Sequence, residues 1–286
     1  METINLLKQQ VFQTDSKIVQ QVYQNNNNYL IEFDTNGDKD YCAIYFCSND
    51  IYFPNNEAIF RKRIIEKNFF EWYHSRIKKA GKHIFIRDVF KQWYLSGINQ
   101  YINTPDKLLS FLKEETKGYK IITIGSSAGG YAAILYGSLL QAQKVLAFNP
   151  QFELESLLKR SSENRNPLIF RIKDERTRYF NIIPYINKDI DIFYFYSNAS
   201  QWDIEQYKQV KSYSKIHKIA YNSRHHGIPF LKVALPITIN LEENTLIEFS
   251  KKSHNPIFFT IQMVGVRRTI QGFIQQAYQA YKKRRK

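Results

Sequence analysis

The stretch Ile121-Ile122-Thr123-Ile124-Gly125-Ser126-Ser127-Ala128-Gly129-Gly130-Tyr131-Ala132-Ala133 carries the residues best suited to chemistry. Within it lies Gly125-x-Ser127-x-Gly129, the spacing of a serine nucleophile held on a sharp turn between a strand and a helix. Such a serine attacks an acyl carbon and holds the acyl group as an ester. The central residue of this turn is strained, so the residues two before and two after it must be very small to pass the neighbouring strand and helix. The backbone N–H of Ala128 would then point at a developing oxyanion, at the positive end of the helix. Two plainer readings exist: a Gly/Ser-rich turn, or a phosphate-binding loop. The chain has neither Gly-Lys-Ser/Thr nor G-x-G-x-x-G there, which disfavours the second. Ser126 occupies an x position and is expected to point elsewhere.

A serine of this kind needs a base and an acid, in the chain order Ser, then Asp/Glu, then His. The strand expected at Ile190–Tyr196 is followed by Ser197 to Asp203, and the strand expected at Lys215–Tyr221 by Asn222-Ser223-Arg224-His225-His226-Gly227. Asp203 is the expected acid, with Glu205 and Asp191 behind it; its plain alternative is a helix N-cap. His226 precedes a glycine that permits a sharp loop and is preferred to His225 as base. Adjacent histidines seldom supply two ligands to one ion, so no metal is expected. His74, His83, His217 and His254 read as surface or core residues. A second oxyanion donor is expected from the backbone around Cys47 and Ser48, after an early strand. The segment Arg87 to Tyr94 interleaves charge with aromatics, suiting a glycan-binding wall or the start of an amphipathic helix. Arg87, Trp93 and His225 are therefore the candidate substrate contacts.

The elements that must hold these residues alternate. Tyr29–Phe33 reads as part of an edge hairpin, and Tyr41 to Cys47 as a strand buried on both faces. An amphipathic helix is expected over residues 57–80, then a strand at His83–Ile86. A helix at Pro105–Thr116, a strand at Tyr119–Ile124, a helix at Gly130–Leu140 and a strand at Lys144–Phe148 follow. A helix from about Asp203 to Ser212 separates the last two strands. This rhythm predicts an α/β fold with a mostly parallel central sheet flanked by helices. The expected organisation is a catalytic domain over residues 1–250, with a helical insertion at 151–187, and a basic amphipathic helical extension over 251–286.

Composition agrees with a globular chain: of 286 residues, 43% are hydrophobic and 23% charged, which excludes disorder and collagen-like repeats. Two cysteines cannot build a disulfide framework, and Met1 to Lys8 lacks the pattern of a secretory signal. A cytoplasmic protein is expected, peripheral to the inner membrane if the tail docks there. The net charge is +15, and residues 251–286 carry nine Lys/Arg and no acid. Polyanions are the expected partners; no nucleic-acid motif accompanies the charge.

At Gly125-Ser126-Ser127-Ala128-Gly129-Gly130, with Asp203 and His226 following in order and Val145–Phe148 running into Asn149-Pro150-Gln151, the chain resembles α/β-hydrolase-fold capsule polysaccharide O-acetyltransferases of the meningococcal serogroup A type. The resemblance spans roughly residues 41–230. It implies acetyl-CoA as co-substrate with no permanently bound cofactor, an acetyl ester on Ser127, and an anionic polysaccharide acceptor. The basic tail, residues 251–286, lies outside the resemblance; it reads either as a packed amphipathic terminal helix with a solvated basic end or as a segment docking on a capsule assembly complex or the inner membrane surface. Two readings from the same residues stay open: an esterase or deacetylase with water as acceptor, and a non-enzymatic hydrolase-like scaffold.

Overall fold

Seven strands form one sheet in the order β1-β3-β2-β4-β5-β6-β7. They are β1 Tyr29–Phe33, β2 Asp38–Phe46, β3 Ala80–Ile86, β4 Lys120–Ser126, β5 Lys144–Phe148, β6 Asp191–Ser197 and β7 Ile216–Tyr221. All neighbours pair in parallel except β1, which runs antiparallel on the edge of β3. This is an α/β-hydrolase-like sheet with helices on both faces. The computed structural model describes residues 10–160, 162 and 167–284. The leader reading at Met1 to Lys8 and the last two basic residues lie outside them.

The run from Tyr41 to Phe46 is buried at every position, as a central parallel strand requires. One face of the sheet packs on the helix Ala128–Leu139 and on Leu154, Leu157, Tyr179 and Ile182 from the stretch between β5 and β6. That stretch contains the short helices Glu155–Arg160 and Pro167–Arg171 and two 3₁₀ turns. The other face packs on Val19, Tyr52, Trp72, Phe230 and Phe259. The helix Ala128–Leu139 has no charged residue, and its glycines and alanines let it lie close: a Cβ on Gly137 would come within 2.6 Å of Thr123 Oγ1.

Two local expectations are corrected. Residues 57–80 do not form one helix; Glu57–Phe60 widens into a π-helical turn over Arg61–Glu66, and Asn68 at φ +41° ends it. The turns that follow lay Phe70 and Trp72 into the core, which a continuous helix facing one way could not do. Nor does β1 form a hairpin with the next strand, because β3 lies between them.

The chain closes with the helix Pro256–Arg284, kinked at Gly265 (φ +79°). Its first turns belong to the body: the His254 N–H donates to Ala220 O at 2.9 Å, and Phe259 is in the core. Gly272 abuts Val233. Outward-facing Val266, Ile270, Phe273, Ile274 and Tyr278 are each more than half exposed. Among the described residues no helix is long and apolar enough to cross a membrane.

Candidate active site

The carboxyl edge of the sheet assembles the site. Ser127 follows β4 in a conformation that L-residues rarely adopt, φ +52° and ψ −120°, and the helix begins at the next residue. The two flanking glycines are sterically required. A Cβ on Gly125 would sit 2.0 Å from Gly129 O, and one on Gly129 would sit 2.2 Å from Phe46 O. The Ser127 N–H donates to Phe148 O at 2.8 Å, tying the turn to the end of β5.

Ser127 Oγ lies 2.9 Å from His226 Nε2, and His226 Nδ1 lies 2.8 Å from Asp203 Oδ1. The sequence candidates from three separate loops are thus joined in one hydrogen-bonded chain. Asp203 is 1% exposed and occupies the first turn of the helix Gln201–Val210; the N-cap is Ser200, whose Oγ accepts from the Asp203 N–H. The imidazole is also stacked on Trp202, with centroids 4.8 Å apart and planes 7° from parallel. Of the other acid candidates, Asp191 pairs with Lys215 and His217 at the opposite end of β6, and Glu205 accepts from Gln201.

Asn149 holds these loops together. Fully buried, at φ +41°, it accepts from the Ser197 N–H through Oδ1 at 2.9 Å and donates from Nδ2 to Gly227 O at 2.7 Å. The end of β5 is thereby joined to the loop of the acid and the loop of the base. Two residues on, Gln151 is also fully buried. Trp93 Nε1, which can only donate, points at Gln151 Oε1 at 2.9 Å, and this fixes the amide so that its NH2 faces His226 Nε2 at 3.4 Å. Neither residue has a role that motif spacing predicts; the signal for both is the polar triplet Asn149-Pro150-Gln151 following a strand at the carboxyl edge of the sheet.

The first N–H of the helix, on Ala128, has no intrahelical acceptor and sits beside Ser127. The expected second donors are corrected. The Cys47 N–H donates to Ile86 O at 3.0 Å and the Ser48 N–H to Glu71 Oε2 at 2.6 Å, so both are already engaged. Burial pushes the Glu71 carboxyl up, against the pull of its hydrogen bonds from Ser48. The next residue, Asn49, is half-buried and has no hydrogen-bond partner among the described residues.

The three candidate substrate contacts separate. Trp93 is buried and reaches the triad residues only through Gln151, so it forms no exposed wall. His225 is exposed beside the base, and its carbonyl accepts from Ser197 Oγ at 2.5 Å. Arg87 is buried at the end of β3, with β2 between that strand and β4, which Ser127 follows. The segment from Arg87 to Tyr94 is no helix. It is a loop wound around Asp88, whose carboxylate accepts from the N–H groups of Phe90, Lys91, Gln92 and Tyr94, with Lys91, Trp93 and Tyr94 all at positive φ.

No family model matches the chain, and no curated protein sequence is detectably similar. Solved structures share the fold at low identity. The capsule O-acetyltransferase of Neisseria meningitidis serogroup A matches with a TM-score of 0.48 at 12% identity, over 68% of this chain and 82% of that one. A Staphylococcus aureus Mu50 protein of unknown function matches with a TM-score of 0.44 at 12% identity, over 82% and 94%. The S. aureus serine hydrolase FphF matches with a TM-score of 0.41 at 11% identity, over 67% and 82%.

Proposed function

We propose that the protein is a serine O-acetyltransferase that carries an acetyl group from acetyl-CoA, through an acetyl ester on Ser127, to a hydroxyl of an anionic bacterial capsular or surface polysaccharide. One observation carries the reading: the unbroken chain of Ser127, His226 and Asp203, at 2.9 and 2.8 Å, on a strained turn at a helix start. His226 Nε2 takes the Ser127 proton as Oγ bonds to the thioester carbon. The carbon–sulfur bond breaks, and the thiolate leaves with the proton from His226. The acceptor hydroxyl then gives its proton to the same nitrogen and attacks the ester; the Ser127 Cβ–Oγ group departs and regains a proton. Asp203 holds the imidazole in the tautomer with the proton on Nδ1 and stabilises its cation. The Ala128 N–H stabilises the charge on the carbonyl oxygen in both steps.

The donor and acceptor classes rest on the motif resemblance at residues 125–130 and 149–151 and on the net charge of +15, which suits a polyanionic acceptor and a phosphorylated donor. On the same reading, the C-terminal helix, with its exposed apolar row in a segment rich in Lys/Arg, holds the enzyme to the capsule assembly complex or the inner membrane face. A second reading, hydrolysis, is favoured by one observation: the His226 side chain is 26% exposed, so water reaches the same nitrogen.

Intact-protein mass spectrometry after incubation with acetyl-CoA tests the proposal. Wild type should gain one acetyl group that persists until an acceptor is added, and Ser127→Ala should gain none and lose at least about 10⁴-fold in rate. Cleavage of a simple ester without stable acylation would move the conclusion to hydrolysis.

A further inference from the structure

The end of β3 holds a buried cation with no counter-ion among the described residues. Arg87 is 2% exposed. Its backbone N–H donates to Asn28 O and its Nε to Asn28 Oδ1, both at 3.0 Å, while Nη1 donates to Phe69 O at 3.3 Å. The guanidinium carbon lies 4.6 Å from the Phe70 ring centroid. No carboxylate pairs with it among the described residues. Burial lowers its pKa to about 10, which leaves it charged at neutral pH.

A guanidinium has five N–H donors, and the protein engages two of them here. Arg87 lines a cavity of about 560 Å³ together with Asn25, Asn26, Asn27, Asn28 and Asn68. That volume falls in the range of small-ligand sites. The wall is built in advance: Asn28, itself buried at φ +58°, fixes Arg87 through both its backbone and its side chain, and donates from Nδ2 to Ile98 O at 2.9 Å. A buried charge without a partner is costly, and an anion entering this cavity would remove that cost.

We infer that this cavity is a subsite for a carboxylate or phosphate group of a bound substrate, gripped by the free N–H groups of Arg87 and flanked by asparagine amides. The inference deepens the acyl-transfer reading and rests on it for the identity of the substrates. The strand order places β2 alone between β3 and β4, so Arg87 and Ser127 end strands two spacings apart, about 10 Å, on the same edge. Residues 69–71 join the end of β3 to the end of β2, because Phe69 O accepts from Arg87 and Glu71 accepts from Ser48. The anionic group comes either from the polysaccharide acceptor or from the phosphates of the acyl donor.

Calorimetric titration of the full chain separates these sources and does not depend on catalysis. One arm compares CoA with phosphate-free pantetheine; the other compares a polygalacturonate oligomer with a neutral galactan. The expected result is that at least one charged probe binds tenfold or more tightly than its neutral counterpart. That advantage should vanish in Arg87→Met and fall at least threefold in Asn26→Asp, a change at an exposed wall position. The arm that responds names the source. If neither charged probe has an advantage, or if the advantage survives in Arg87→Met, the inference is overturned; should Arg87→Met not fold, Asn26→Asp decides alone. Failure of the acylation reading would appear separately, as absence of acetyl-Ser127 in a chain that still binds the anion.

Discussion

Two parts of one sheet edge treat buried charge in different ways: the Asp203 carboxylate faces His226 across 2.8 Å, although its Oδ2 has no hydrogen-bond partner among the described residues, whereas the charges at the end of β3 are held by neutral groups. At the ends of β4 to β7, Ser127, Asn149, Gln151, Ser197 and His226 satisfy one another through side chains and carbonyls. At the end of β3, Arg87, Asp88 and Lys91 are all buried, yet none has an ion-pair partner among the described residues. Burial shifts all three towards neutrality: Arg87 down to about 10, Lys91 down to about 8 and Asp88 up to about 6. A reacting centre benefits from being preformed, since reorganisation at the moment of reaction raises the barrier. A recognition site can instead leave a charge unmatched, so that the ligand completes it.

Perturbing each part should expose that difference. The largest effect is expected from Asp203→Asn, which keeps the shape but offers the imidazole an amide: kcat should fall about 10⁴-fold with the fold intact. A loss below tenfold would mean that Asp203 does not orient the base. Next, Gln151→Met removes the NH2 facing His226 and should lower kcat about 10²-fold with KM nearly unchanged. A rise in KM alone would move Gln151 to the recognition side of the comparison.

A third effect, on stability rather than rate, concerns Asp88. Its carboxyl is raised by burial from an ordinary 3.8 to about 6, against four backbone hydrogen bonds that pull it down. The folded state therefore binds this proton more tightly than the unfolded chain. The stability it contributes is full below about pH 3.8 and is lost as pH rises through about 6, a change of about 3 kcal/mol. Asp88→Asn lacks this titration, so the stability of wild type relative to the variant should fall between pH 4 and 7 in urea unfolding. A gap independent of pH would show that the loop leaves Asp88 solvated.

The sequence made the reacting centre legible because its constraints are local. The glycines at 125 and 129 answer close backbone contacts around the turn, the acid follows the apolar run of β6, and the base follows β7, where Ile216, Ile219 and Tyr221 are buried. What escaped was set by residues far along the chain. Glu71 takes the Ser48 N–H from 23 residues away, which removes the oxyanion donor expected there. Asp88 winds its loop so that Trp93 turns inward to Gln151, 58 residues on. Arg87 was legible as a substrate contact by type, but the cavity that gives it meaning is made by Asn28 and Asn68, both at positive φ. The helix expected over 57–80 failed because Asn68 breaks it to deliver aromatics to the core.

Asn149 also bears on how the site comes apart. One Asn149 amide bonds both Ser197 N–H and Gly227 O, and Ser197 Oγ and the Ala199 N–H donate across to His225 O and Ser223 O, so the loops of the acid and the base are fastened to each other. A local opening that releases either loop breaks bonds of the same residue and loosens the other. Hydrogen exchange at the Ser197 amide should therefore report on the loop of the base as well, and the proposed acyl-transfer activity should be lost at a temperature below that of global unfolding, in one step.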